Sequence, residues 1–230
     1  MTQVVQIRLK MSNAFLILGE ELVLVDTGSR KETSAILSAI DKAGLNILDL
    51  SLIIHTHAHF DHCGSTADLQ QKSGALVAIH RSDSQFFLDG KSAPIKAINL
   101  FGRFLLPFMK DGYCTTKIDI LISDEFDLHP YGINGKIITT PGHTPGSISV
   151  LLDSGEVIVG DLLGGGRLMG LLQPERPRYH HWYSDLDTAK KSIAQVMDMT
   201  PTRVFVGHGG PLDGESAIRY FNYLKRTSNA

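Results

Sequence analysis

The stretch Ile53-Ile54-His55-Thr56-His57-Ala58-His59-Phe60-Asp61-His62-Cys63-Gly64 organises the rest of the chain. Residues 51–54 close a β-branched, apolar run that is typical of a buried strand. The eight residues that follow contain four histidines and one aspartate. Neutral imidazoles and carboxylates are the ligands that hold zinc and similar ions, and a strand end presents them on one side of a rigid support. The stretch therefore predicts a metal site at the end of a buried strand.

Three later segments share this organisation, in which an apolar run leads to one histidine or aspartate. His143 lies in a turn with two prolines and two glycines, Asp161 closes an apolar run, and His208 follows another run among glycines. Any one of these would be an ordinary polar strand terminus. Four strand ends that all finish on metal-ligand side chains are hard to attribute to chance, and they favour one metal site.

The order of these residues resembles the metallo-β-lactamase superfamily, and the matching positions span residues 57–208. The resemblance implies an α/β fold, an αββα four-layer sandwich, formed by residues 1–230 as a single domain. It also implies a dinuclear metal site at the strand ends. In that site His57, His59 and His143 bind one ion, Asp61, His62 and His208 bind the second, and Asp161 bridges the two.

The ligand chemistry is that of a catalytic centre. Three imidazoles without a thiolate suit a zinc ion that keeps one open position, and the second set, with harder oxygen ligands, accepts Zn²⁺, Mn or Fe. We therefore expect two divalent metal ions, Zn²⁺ in the first instance. Metal coordination lowers the pKa of water from about 15.7 to roughly 7, so a metal-bound hydroxide is available near neutral pH. Asp61 is the predicted catalytic residue, which orients this nucleophile and moves a proton.

Asp26 follows the second strand of a predicted hairpin, in Val25-Asp26-Thr27-Gly28. The matching aspartate of the superfamily lies beside the metal loop. This implies that Asp26 supports the loop through a hydrogen bond to its backbone or to a ligand histidine. An ordinary turn aspartate would explain the same residue.

Residues 81–117 interrupt the rhythm of strands, and we interpret them as a helical, cap-like insertion. Apolar residues recur at helical spacing, basic residues interleave with them, and Pro107 is expected to kink or end the helix. The apolar positions are Ile95, Ile98, Phe101, Phe104, Leu105, Phe108 and Met109, and the basic ones are Lys96, Arg103 and Lys110. A cap that lines the substrate pocket, the self-association surface of a homodimer, contact with a membrane surface and plain core packing all stay open.

Residues 162–183 are predicted to be an irregular loop that borders the site, because they follow Asp161 directly. The loop contains glycines, two prolines and the cluster Tyr179-His180-His181-Trp182-Tyr183. The candidate substrate contacts are Phe101 and Phe104 from the insertion and Tyr179, His181 and Trp182 from this loop. We do not expect His180 or His181 to be extra ligands, since the seven motif residues already suffice.

Length and composition agree with one large α/β domain. The chain has 230 residues, 43% of them apolar, and a net charge of −2, which gives no indication of a nucleic-acid partner. Its two cysteines, Cys63 and Cys114, indicate no disulfide framework and favour a reducing compartment. The amino-terminal residues lack a signal-peptide core, and no apolar stretch is long enough to span a membrane. We expect a cytoplasmic protein with a small-molecule substrate.

The resemblance implies a metal-dependent hydrolase of a small ester, thioester or lactone. The bridging Asp161 and the Asp61–His62 pair resemble the glyoxalase II and lactonase branch rather than the true β-lactamases. The short segment after His208 leaves no room for the helical extension with which glyoxalase II enzymes hold glutathione. A phosphodiesterase or nuclease of the same fold and a mononuclear iron persulfide dioxygenase remain as alternatives. A metal-binding protein without activity is a further one, which the intact ligand set argues against.

Overall fold

The computed structural model describes residues 2–109 and 112–227. The first half of the chain forms strands β1 (Gln3–Arg8), β2 (Asn13–Leu18), β3 (Leu22–Val25), β4 (Leu50–Ile54), β5 (Leu76–His80), β6 (Lys96–Ala97) and β7 (Ile120–Ile122). Its helices are α1 (Thr33–Lys42), α2 (Phe60–Cys63), α3 (Thr66–Ser73), α4 (Arg81–Asp89) and α5 (Leu100–Leu105). Short 3₁₀ turns occupy Ile47–Asp49 and Leu106–Phe108.

The second half has a similar content of strands, with its helices at the end. The strands are β8 (Phe126–Asp127), β9 (Gly135–Thr139), β10 (Ile148–Leu152), β11 (Glu156–Ile158), β12 (Gly164–Arg167), β13 (Leu172–Arg178), β14 (Trp182–Tyr183), β15 (Arg203–Phe205) and β16 (Leu212–Asp213). The helices are α6 (Leu186–Asp198) and α7 (Gly214–Thr227), and the 3₁₀ turns are His129–Tyr131 and Gly160–Leu162.

Two six-stranded sheets face each other. The first has the order β1-β2-β3-β4-β5-β7 and the second the order β16-β15-β11-β10-β9-β8. In the first sheet, β3, β4, β5 and β7 run parallel, which requires crossover connections and accounts for the helices between them. In the second sheet, β9, β11 and β15 point the same way, so that their carboxyl ends meet at one edge.

The apolar residues form three cores, and these define four layers. One core lies between the two sheets and includes Phe15, Val150 and Phe205. A second core packs the outer face of the first sheet against its helices, and a third packs the second sheet against α6 and α7. The predicted αββα sandwich is therefore confirmed.

The alternation of side chains explains why the central strands are apolar throughout. In β2, Leu16 belongs to the core under the helices, whereas Phe15 and Ile17 belong to the core between the sheets. Successive side chains of a strand point to opposite faces, so a strand that is covered on both faces has no polar side. Such a strand is a continuous apolar run in the sequence, as residues 14–18 and 52–54 are.

Helix α6 has a well-defined start. The Asp185 carboxylate accepts hydrogen bonds from the backbone N–H groups of Asp187 and Thr188 at 2.9 and 3.0 Å, as an N-cap does. The buried face of α6 includes Ala189 and Ile193. No helix in residues 2–109 and 112–227 has the length and apolar character needed to cross a membrane.

The prediction that residues 162–183 are irregular is wrong. Strands β12 and β13 form an antiparallel ribbon, and β14 pairs with β6. These strands are not recognisable in the sequence, because they contain three consecutive glycines, Pro174 and Pro177, and both residue types are depleted in sheets. Proline is tolerated in an edge strand, because its missing N–H can face away from the neighbouring strand. Both strands of a two-stranded ribbon are edge strands.

The apolar stretch from Ile95 to Met109 is also more divided than its spacing predicts. It begins with the short strand β6, α5 covers only Leu100–Leu105, and Pro107 lies in a 3₁₀ turn. The α-helix thus ends before the proline, as expected. The Phe108 side chain and Lys110, which belong to the predicted pattern, lie outside the described part of the structure.

Candidate metal centre

The seven motif side chains come together at the edge where the strands end. His57 and His59 follow β4, Asp61 and His62 lie in the one-turn helix α2, His143 follows β9, Asp161 lies in the 3₁₀ turn after β11, and His208 follows β15. They form two groups, and within each group the ligand atoms lie within 4.8 Å of one another. The first group is His57, His59, His143 and Asp161, and the second is Asp61, His62 and His208. All seven side chains are buried.

The hydrogen bonds of the first group fix which ring nitrogen carries a proton. In each of its histidines, the outer ring nitrogen, which points away from the group, contacts an oxygen atom at 2.9 Å. His57 Nδ1 contacts Thr56 Oγ1, His59 Nε2 contacts the Ala93 carbonyl, and His143 Nδ1 contacts the Trp182 carbonyl. A carbonyl can only accept, so His59 Nε2 and His143 Nδ1 are N–H donors. The Thr56 hydroxyl donates to Asp26 at 2.7 Å, so His57 Nδ1 donates to that hydroxyl in turn.

The inner nitrogens of the three neutral rings therefore all carry lone pairs. His57 Nε2 lies 3.0 Å from His59 Nδ1, and His143 Nε2 lies 3.1 Å from the same atom. Three lone pairs at this separation repel one another unless a cation lies between them. Burial lowers the pKa of His57 and of His143 well below the usual value, and the neighbouring rings lower it further. The donor set fits a divalent cation with imidazole ligands.

The second group has the same design. The Nδ1 atoms of His62 and His208 donate to Asp26 Oδ2 at 2.8 Å and to the Met11 carbonyl at 2.7 Å. Their Nε2 atoms are buried and have no hydrogen-bond partner within the described residues, nor has Asp61 Oδ2 or Asp161 Oδ1. His208 Nε2 lies 3.4 Å from Asp61 Oδ2. Buried polar atoms are rarely left without partners, and a cation would satisfy them together.

The charges of the second group oppose the effect of burial. Burial lowers the pKa of His62, but the carboxylates of Asp161, Asp26 and Asp61 raise it well above the usual value. His208 has a raised pKa for the same reason, with Asp161 as the main partner. Burial raises the pKa of Asp161, yet the surrounding histidines, His180 first, hold it well below its usual range. Asp161 is thus a carboxylate, the form in which the side chain binds a cation.

Asp26 makes both kinds of contact that its position suggested. Its Oδ1 accepts the backbone N–H of Thr56 at 2.9 Å, and its Oδ2 accepts His62 Nδ1 at 2.8 Å. Burial raises the pKa of Asp26, but the attraction of His62 and His55 outweighs it, and the pKa lies below the usual value. One fully buried carboxylate therefore holds the metal loop and orients one of its histidines.

Asp83 also supports the histidine loops through hydrogen bonds, and no feature of the sequence had singled it out. This buried side chain of α4 accepts the N–H of Ala58 at 2.9 Å, the hydroxyl of Thr144 at 2.7 Å and the N–H of Gly146 at 2.7 Å. Ala58 lies between His57 and His59, and Thr144 follows His143. Asp83 thus joins the histidine loop of the first sheet to the histidine turn of the second. In the sequence it is an ordinary acidic residue of a first helical turn.

Close packing at the centre also explains one glycine. A Cβ on Gly207 would lie 2.1 Å from Asp161 Oδ1 and 2.8 Å from His62 Cε1. No side chain fits at these distances. The end of β15 can therefore approach the second group and present His208 only because residue 207 is glycine.

The side chains predicted to contact the substrate lie in several parts of the structure rather than together in one loop. Trp182 is fully buried and its indole donates to the Gly102 carbonyl at 3.0 Å, which places the ring behind α5 rather than on an open surface. Tyr179 packs against Phe221 and lines a groove between α6 and α7. The Phe101 ring lies 4.9 Å from the ring of His181. Phe104 is 70% exposed.

A cavity of about 360 Å³ opens beside His59. The residues that follow α4, together with the 3₁₀ turn, contribute most of its wall, which includes Ala93, Ile95, Leu106 and Met109. The Ala93 carbonyl is also the acceptor that orients His59. These residues thus form a largely apolar chamber next to His59, although Phe101 and Phe104 are not among its described lining residues.

Comparison with known proteins places the chain in a family. A model of the metallo-beta-lactamase superfamily matches residues 7–208. The probable metallo-hydrolase MJ0888 of Methanocaldococcus jannaschii is 30% identical over 152 residues, 66% of this chain and 67% of that protein. Hydroxyacylglutathione hydrolase GloC of Haemophilus influenzae is 28% identical over 193 residues, 81% and 79% of the two chains. The crystal structure of BJP-1, a subclass B3 metallo-beta-lactamase of Bradyrhizobium japonicum, shares the fold with a TM-score of 0.67, 19% identity and coverage of 100% and 90%.

The fold and the convergent histidines and aspartates define a metal-dependent hydrolase. The chain belongs to the metallo-β-lactamase superfamily.

Proposed function

We propose that the chain binds two divalent metal ions and hydrolyses a small ester, thioester or lactone that carries an apolar group. His57, His59 and His143 would hold the first ion and Asp61, His62 and His208 the second, and Asp161 would be shared between them. Ions so bound lower the pKa of water from about 15.7 to roughly 7 and polarise a carbonyl group. Zn²⁺ suits both ligand sets, and Mn or Fe suits the second. The seven converging ligand atoms carry this part of the proposal.

The residues of this chain supply the rest of the chemistry. Asp61 Oδ2 is buried and has no hydrogen-bond partner in the described ranges, so it is available to orient the attacking water and to hold its proton. Asp26 keeps His62 in one tautomer through the Nδ1 hydrogen bond. The low exposure of all these groups excludes bulk water, which strengthens their electrostatic effect on the substrate.

The apolar chamber beside His59 indicates the substrate class. It adjoins the first metal position, where the carbonyl oxygen would bind, and its walls offer Ile95, Leu106 and Met109 to the acyl group. We infer that residues 81–117 act as a cap that builds this chamber. GloC is, by its name, a hydrolase of hydroxyacylglutathione, which agrees with an acyl group as the recognised part.

A series of p-nitrophenyl esters tests this assignment. Each buried methylene contributes about 0.8 kcal/mol, so kcat/KM is expected to rise roughly fourfold per methylene from acetyl to hexanoyl. Leu106→Trp should fill the chamber and abolish this gain while the acetyl ester is still hydrolysed. Leu168→Trp, at an exposed site on the β12–β13 turn, is the control. A flat chain-length profile would contradict the acyl chamber, and faster hydrolysis of bis-p-nitrophenyl phosphate would favour the phosphodiesterase alternative.

The raised and lowered histidine pKa values predict an order of metal release. His62 and His208 have raised pKa values in the metal-free protein, so protons compete for the second position at a higher pH than for the first. His57 and His143 have lowered values and stay neutral well below pH ~6.5, the usual histidine pKa. As the pH falls, the second ion should therefore leave first.

Metal content after dialysis at stepwise lower pH measures this order. The reconstituted protein should fall from two ions to one and then to none. His208→Ala, which keeps the first group intact, provides the reference visible spectrum of a Co²⁺ ion in the first position. Loss of both ions in one step, or loss of the first ion before the second, would show that the prediction is wrong.

A further inference from the structure

His180 lies in the centre but differs from its five ligand histidines. Each of those five has its outer ring nitrogen held by a hydroxyl, a carboxylate or a carbonyl oxygen. Such an anchor is what fixes the tautomer and direction of a metal-binding histidine. His180 is only 3% exposed, yet neither of its ring nitrogens has a hydrogen-bond partner within the described residues.

The ring of His180 borders both metal positions. Its Nε2 lies 3.4 Å from Oδ2 of Asp161, the carboxylate that the two positions share. The ring packs edge-on against His143 of the first group at 5.0 Å and stacks on His208 of the second at 5.2 Å. His180 forms a third cluster with Asp161 and His208, whose ligand atoms also lie within 4.8 Å of one another, and it is a member of neither of the two groups described above.

The position of this ring is set by its own backbone. The N–H of His180 donates to the Tyr183 hydroxyl at 2.8 Å, and that hydroxyl donates to the Leu162 carbonyl at 2.9 Å. Leu162 follows Asp161 directly in the chain. The segment that carries His180 is thereby tied to the turn that carries the bridging carboxylate, and the two side chains keep their relative placement.

We propose that His180 is a substrate-contacting residue, whose ring N–H donates a hydrogen bond to an oxygen of the substrate's reacting group over the two metal positions. The inference rests on the proposed dinuclear hydrolase and adds the group that receives the substrate oxygen. A buried polar group requires a partner, the seven ligands already complete the two metal groups, and the ring has no anchor of the kind that ligands have. The partner is therefore a group that arrives with the substrate, such as a carbonyl, carboxylate or phosphoryl oxygen.

Binding of an oxyanion to the Co²⁺-loaded protein tests the inference without turnover. Inorganic phosphate is the probe, and its Kd is read from the visible spectrum. His180→Phe keeps the stacked ring and removes both nitrogens, so it should bind two Co²⁺ ions like the wild type but bind phosphate about 10- to 100-fold more weakly. His180→Gln places an amide N–H near the position of Nε2 and should recover most of the affinity. His129→Ala, an exposed histidine paired with Asp127, should match the wild type.

Three results separate the alternatives. An unchanged phosphate Kd in both His180→Phe and His180→Ala overturns the inference. Loss of one Co²⁺ ion in these variants also overturns it, because His180 would then be a metal ligand. A wild-type protein that takes up fewer than two ions contradicts the proposed dinuclear function itself, and this outcome is visible before any variant is made.

Discussion

Replacement of Asp161 by asparagine is expected to reduce kcat/KM by roughly 10²–10⁴-fold, which corresponds to about 3–5 kcal/mol of lost transition-state stabilisation. The change keeps the shape of the side chain and removes one negative charge. In the structure the carboxylate oxygens of Asp161 lie 3.5, 3.4 and 3.2 Å from the Nε2 atoms of His62, His180 and His208. No other carboxylate of the described residues belongs to the first ligand group.

The fold should survive the replacement, because Asp161 lies in a turn beyond the end of β11 and its side chain belongs to none of the three apolar cores. Far-ultraviolet circular dichroism should match the wild type, and the metal content should fall below two ions per chain. Asp153→Asn, at an exposed hairpin turn of the same sheet, is the matched control and should retain full activity. A fully active Asp161→Asn variant with two ions would remove Asp161 from the centre.

The sequence was most informative where chemistry and strand ends coincide. His57, Asp161 and His208 follow closely on the apolar strands β4, β11 and β15, and a run that is buried on both faces can be recognised without knowing its partners. The αββα sandwich was implied by the resemblance to the superfamily. The apolar runs themselves depend on residues that are close in the chain, which is why a single sequence reveals them.

Features that depend on distant partners were not visible in the sequence. The ribbon of β12 and β13 exists because each strand supplies the hydrogen bonds of the other, although glycine and proline make both look irregular. His180 looked superfluous because the seven ligands were already counted. Its unpartnered ring nitrogens appear only once Asp161 and His208 are placed beside it.

Asp83 is the clearest case of such a distant partner, and its replacement is expected to weaken both the fold and the first metal position. Asp83→Ala leaves two buried donors without an acceptor, the N–H groups of Ala58 and Gly146, and the hydroxyl of Thr144 keeps only Ser147 Oγ, at 2.9 Å. Each orphaned donor costs about 1–3 kcal/mol, so the free energy of unfolding should fall by roughly 2 kcal/mol or more. Asp83→Asn keeps one oxygen acceptor and should cost less.

The effect on metal binding distinguishes this role from plain core packing. Ala58 separates His57 from His59, and Thr144 adjoins His143. Loss of the hydrogen bonds that Asp83 accepts from Ala58 and Thr144 should therefore move all three imidazoles of the first group. Affinity for the first ion should fall about 10- to 100-fold, as it does when the supports of metal ligands are removed. The second group is held by Asp26 and the Met11 carbonyl, and its affinity should remain close to that of the wild type.

Urea unfolding of the metal-free protein and Co²⁺ titration of the folded protein measure the two effects separately. Asp89→Asn lies on the same helix with its side chain partly exposed, where its Oδ1 accepts only a hydrogen bond from Gln85, and it serves as the matched control. The stability of the four proteins should follow the order wild type and Asp89→Asn, then Asp83→Asn, then Asp83→Ala. If Asp83→Asn bound both ions with wild-type affinity, the carboxylate would be a structural contact only, because the two histidine loops would then hold their geometry without it.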